Sequence, residues 1–244
     1  MSSGSSISGS FHPSLASDEE ESVYLSRARL LNWIRLGLAL VILGAAAAIV
    51  GCEAVPLNHY KSTSSFEKFW LFLWPLNFDL RPTNALLACG VLIMFQALVY
   101  IVVTLLPSPH PRIRLLNVLA TAVSCAGFIT AVTGVAFAIY LPSSTYPSGF
   151  TYNETLHSWT CKWKSLRDVN ALDDDGDPLH APADFSRDCM ETRAGFILLG
   201  LLIGLEVMMG AAAAAGWWLE GIVRMQRKIE KVELGKVEPS AKRT

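Results

Sequence analysis

Long apolar runs alternate with polar blocks along the chain, and four of the runs reach the length of a membrane span: residues 31–54, 84–106, 115–141 and 194–219. A bilayer core takes about 20 apolar residues to cross as a helix. None of the four shows the polar face of a soluble amphipathic helix. In lipid, a helix satisfies its own backbone, which an open chain cannot do. The pattern predicts an all-α membrane protein, a four-transmembrane-helix bundle. Between the spans lie a first outer loop at 55–83, a short inner loop at 107–114 and a large outer loop at 142–193. A disordered cytoplasmic tail is expected at 1–30 and a basic cytoplasmic tail at 220–244. The first span is read as uncleaved. Its charged preamble of some thirty residues and its long apolar run do not fit a signal peptide, whose core is about 7–15 residues.

Composition sharpens this picture. Hydrophobic residues make up 52% of the 244 and charged residues 17%, with mean hydropathy +0.37. A soluble domain carries about 25% charge, so a soluble enzyme, a nucleic-acid binder and a disordered regulator are set aside. The net charge of −1 is uninformative because the signs are sorted by region. With both termini inside, the cytoplasmic segments hold twelve Lys and Arg, against eight on the other side. The short loop PSPHPRIR has two arginines and no acid. The positive-inside rule then places both termini in the cytosol. Trp33 and the Trp217–Trp218 pair fall where an inner interfacial aromatic belt belongs.

The outer side is marked twice. The sequon Asn153-Glu154-Thr155 lies in the third loop and predicts a glycan on Asn153. Cys161 and Cys189 share that loop, in a compartment that permits disulfides. So small a soluble piece needs a staple, and a Cys161–Cys189 bridge would supply it, flanked by Trp159 and Trp163. Cys52, Cys89 and Cys125 lie inside spans and read as small apolar residues. In the first loop, Phe66, Phe69, Trp70, Leu73 and Trp74 recur at helical spacing. An interfacial helix at the headgroup level accounts for them better than a partner-binding ridge.

Chemistry-bearing patterns are sparse. Aligning Gly176 of Asp173-Asp174-Asp175-Gly176-Asp177 with the glycine of a calcium loop puts Ala171 first and Pro182 last, where Glu is required. His157 and His180 have no zinc spacing with the cysteines. No catalytic constellation, metal set or cofactor motif is present, so a non-enzymatic protein without cofactor is expected. Glu206 is the one ionisable group near the middle of a span, and Gln96 lies at similar depth in span two. A charge there costs about 2.5–3.5 kcal/mol, so Glu206 should face the bundle or water. Three readings compete for it: hydrogen-bonded helix glue with a neighbour such as Gln96, a proton or cation site, and a contact for a partner span. A single carboxylate without a paired base favours glue. Arg35 and Glu53, near span ends, are expected to snorkel. Gly200 and Gly204 form a small-xxx-small pair that permits close helix contact, by default within the bundle. In the C-terminal tail, Ile222, Met225, Ile229 and Val232 alternate with basic residues and suit contact with anionic lipid.

Four spans, cytoplasmic termini and a larger cystine-tied second outer loop resemble the tetraspanin plan, although the Cys-Cys-Gly signature is missing. The runs LWPLNFDLRPTNALL, LLPSPHPRIRLLN and TLHSWTCKW resemble fungal four-span membrane proteins of MARVEL-like architecture. That resemblance implies topology and no activity. The expected role is a membrane organiser or accessory subunit in the plasma or a secretory-pathway membrane. Its partners would be the lipid bilayer and other membrane proteins or further copies of itself. The alternative is a small ion or proton channel or transporter component using Glu206.

Overall fold

Buried positions recur at intervals of three and four along each long helix of the computed structural model, the seam of a left-handed helical bundle. The structure describes residues 14–64, 74, 78–106, 113–143, 154–167 and 184–241. The elements are α1 (Ser14–Ser64), β1 (Phe78–Asp79), α2 (Arg81–Leu105), α3 (Ile113–Ser143), β2 (Glu154–Thr155), α4 (Leu156–Arg167) and α5 (Phe185–Ala241). Helices α1, α2, α3 and α5 are each long and apolar enough to cross a membrane. Together they are the fold of a multi-pass helical membrane protein.

The described chain divides into two compact units, residues 35–213 and the residues flanking them on both sides. In the larger unit, α1 buries Arg35, Ala39, Ile42, Ala46, Ile49 and Glu53, and α5 buries Leu199, Leu202, Glu206, Met209 and Ala213. Ile93 and Ala97 of α2 and Ala120 and Ala131 of α3 complete one continuous core. Small residues set the approach of neighbours. A Cβ on Gly90 of α2 would lie 3.1 Å from Val50 of α1, and one on Gly134 of α3 would lie 2.9 Å from Leu199 of α5 and 3.1 Å from Cys89 of α2. Arg35 meets Ala212 while Gly195 meets Glu53, so α1 and α5 run antiparallel. The helices therefore form a ring in the order α1, α2, α3, α5.

Above one end of this bundle sits a small aromatic core. Trp74, Leu156 and Phe185 are buried, with Tyr60, Phe78, Leu80 and Trp159 packed on them. Strands β1 and β2 pair in parallel, Phe78 opposite Glu154. Trp74 was expected at the headgroup level; instead it is 2% exposed. Its indole donates to Thr63 Oγ1 at 2.8 Å, which satisfies the buried N–H. Residues 66–73 of that aromatic run lie outside the described residues. Helix α1 runs on through Pro56 to Ser64, ten residues past the expected end of its span, because its last turns carry Tyr60 and Thr63 into this core. It also begins at Ser14, inside the segment the sequence analysis leaves without structure.

The smaller unit comprises the N-terminal part of α1, up to Ile34, and the C-terminal part of α5, from Ala214. There Trp33, Trp217 and Trp218 are exposed, and Glu220 pairs with Arg224 one turn on.

Candidate functional site

Among the described residues, an arginine and two carboxyl side chains, Arg35, Glu53 and Glu206, lie inside the bundle, not Glu206 alone. The buried seam explains why. Arg35, Glu53 and Glu206 each occupy a position of the three-four repeat, where the helix geometry points the side chain at its neighbours. The expectation that Arg35 and Glu53 snorkel is thus corrected: they are 3% and 1% exposed.

Arg35 is fully engaged. Its Nη1 donates to Asn117 Oδ1 of α3 at 2.8 Å, and its Nη2 donates to the Ala212 carbonyl of α5 at 2.8 Å. Nε donates to that same carbonyl at 3.2 Å and Nη2 also reaches the Ala213 carbonyl at 3.3 Å. One guanidinium therefore ties three helices together, which its planar fork of donors allows and an ammonium would not. The two carboxyls are the opposite case. Both oxygens of Glu206, and both of Glu53, are buried without a hydrogen-bond partner among the described residues. Gln96 Oε1 is buried and unpartnered as well, so no Glu206–Gln96 hydrogen bond is made. Glu206 instead lies against Gly127 of α3, in space that a Cβ there would occupy. Glu53 lies against Gly195 of α5, where a Cβ would come within 2.7 Å of Oε1. Gly195 and Glu206 are eleven residues apart on α5, so the carboxyls sit at levels separated by about 16 Å along the bundle.

Gly200 and Gly204 have nothing within 4 Å of a Cβ position and are exposed. The contact expected of them inside the bundle is not made. Gly127, Gly134, Gly195 and Gly210 make the close approaches of α3 and α5 to their neighbours instead. The sequence spacing permitted either face, and only the packing chose.

At the end of the bundle near Glu53, the segment between α1 and α2 meets the segment between α3 and α5 through the β1–β2 pair. His59 Nδ1 of α1 is 2.5 Å from Asp188 Oδ2 of α5, with the histidine ring edge-on to Trp74 and Phe185. Cys161 of α4 and Cys189 of α5 form a disulfide, with Cα atoms 4.9 Å apart. His157 of α4 has Nδ1 2.9 Å from Thr192 Oγ1. Partial burial, and then the charge of Arg193, lower its basicity below the ordinary histidine value. Glu154 titrates below the ordinary carboxylate range, chiefly because Lys162 Nζ donates to it at 2.8 Å. Sequence reading missed the His59–Asp188 pair, whose members lie 129 residues apart with no motif to join them. Asn153, the acidic run 173–177 and His180 lie outside the described residues. Among the described residues, no group of three or more His, Cys, Asp or Glu could hold a metal ion.

No protein-family profile, no curated protein and no solved structure matches this chain. The fold and composition define a multi-pass membrane protein whose helical bundle encloses a buried arginine clamp and two unpartnered carboxyls.

Proposed function

We propose that the chain is a non-enzymatic membrane organiser or accessory subunit that associates laterally with further copies of itself or with other membrane proteins. The observation that carries this reading is the outward placement of Gly200 and Gly204 on α5, in a helix whose other close-packing glycines, Gly195 and Gly210, face neighbours. Without a hydrophobic drive between helices in lipid, small residues that allow backbone approach favour association. The four-span plan is compatible with this role. In this reading both termini are cytoplasmic, the membrane is the plasma membrane or one of the secretory pathway, and the basic C-terminal tail contacts anionic lipid.

Replacing Gly200 and Gly204 together by Leu tests it. The added side chains enter open space, so the fold should persist. Crosslinked oligomers in native membranes and co-purifying membrane proteins should be lost. Unchanged association would overturn the proposal.

A second reading is favoured by one observation, that neither oxygen of Glu206 has a hydrogen-bond partner among the described residues. Intramembrane acids left unsatisfied by their own bundle are functional by default, and a proton or cation would satisfy this one. In liposomes, Glu206→Gln should then abolish a cation- or proton-dependent flux without altering thermal stability. Flux that is absent in the unsubstituted protein removes this reading.

A further inference from the structure

A cavity of about 490 Å³ opens where the bundle meets the aromatic core. That is within the range of about 300–1,000 Å³ typical of small-molecule sites. Its exposed surface is mainly apolar, with Leu86, Ala138, Ile139 and Phe196 in the wall; the hydroxyl side chains Thr83, Thr155, Ser158 and Thr192 line it too, and the buried Glu53 is part of it. Ile139 and Phe196 are 52% and 38% exposed, on helix faces that surrounding lipid would cover. Glu53 is 1% exposed, and neither of its oxygens has a hydrogen-bond partner among the described residues. The missing side chain of Gly195 leaves the space the carboxyl occupies. A carboxyl buried in apolar surroundings is costly unless something donates to it or neutralises it.

We propose that this cavity binds a single-chain amphiphile with a primary ammonium head, the ammonium donating to Glu53 and the chain lying against Leu86, Ala138, Ile139 and Phe196. A protonated amine supplies both what the site lacks and what it excludes. It brings donors and a compensating charge to two oxygens that have neither. An anionic head brings neither a donor nor a compensating charge to Glu53 and could bind only by turning to Arg193 at the polar rim, which also holds His157. An uncharged alcohol donates one hydrogen bond and leaves a carboxylate's charge unmatched. The site does not depend on lateral association, although Phe196 lies one turn before Gly200 and so borders the glycine face of α5.

The test uses the full chain in detergent micelles, with dodecylamine, dodecanol and dodecanoate as probes and native mass spectrometry as the readout. One dodecylamine should bind per chain, at least about tenfold more tightly than dodecanol, the margin a charge-assisted hydrogen bond supplies. Glu53→Gln should erase that preference, whereas Glu206→Gln should leave it intact. Ala138→Phe, which fills the wall and leaves the carboxyl in place, should abolish binding even if Glu53→Gln does not fold. No bound amine, a preference for dodecanoate, or an amine preference that survives Glu53→Gln or Ala138→Phe would each overturn the proposal.

Discussion

Glu206 and Gly127 show how one missing methyl group can make room for a polar side chain inside a bundle. The carboxyl occupies the volume a Cβ on Gly127 would take, so the two positions are coupled even though one of them has no side chain. Gly127→Ala should destabilise the bundle by about 1–3 kcal/mol, the usual cost of overpacking. In a Glu206→Ala background the new methyl enters the space the carboxyl vacated, and the penalty should nearly vanish. A double-mutant cycle from reversible unfolding in mixed micelles measures the coupling, expected at about 1 kcal/mol or more. Additive effects would mean that the carboxyl moves aside freely. Arg35 reaches the same interior by a different route, because each of its three guanidinium nitrogens finds an acceptor on α3 or α5. The contrast with the unpartnered carboxyls is why the acids, and not the arginine, carry the functional proposals.

At the scale of elements, the three-four repeat governs the spans and the cystine governs what lies above them. Helix α4 joins α5 through Cys161 and Cys189, 28 residues apart in sequence. Closing a loop of that size is worth about 3–4 kcal/mol in the chain-entropy model. Replacing both cysteines by Ser should therefore loosen α4 and the Trp74–Phe185 core while the spans, which bury their own seam, keep their structure. Hydrogen exchange should show faster amides in α4 and unchanged ones in α2 and α3. Uniform loosening of all four spans would mean that the bundle leans on this core for its stability. The core itself was hidden from sequence reading, since its residues come from α1, both outer loops and the start of α5.

For the whole molecule, the open question is which way it faces. The core at the Glu53 end includes the segments that the positive-inside count puts outside the cell or in the lumen, and Asn153 directly precedes β2. Asn153 should carry a glycan in a eukaryotic host, seen as a mobility shift removed by glycosidase and absent in Asn153→Gln. Labelling of position 153 from the cytosolic side would reverse the orientation and, with it, the placement of both termini.

The sequence by itself determined the number of spans, because bilayer thickness sets a run length that composition alone can satisfy. It also singled out Glu206 and the cysteine pair, since charges in apolar runs and cysteines in a short polar loop are local facts. What it could not decide was direction around each helix axis. Whether Gly200 faces a neighbour or lipid, whether Arg35 snorkels or clamps, and whether Glu206 meets Gln96 or Gly127 depend on which helices are adjacent and at what height. Those are relations between residues 80 to 180 positions apart, as in the pairing of Arg35 with Asn117 and Ala212. The cavity beside Glu53 is of the same kind: its walls come from all five helices and strand β2, and no one segment of the chain contains it.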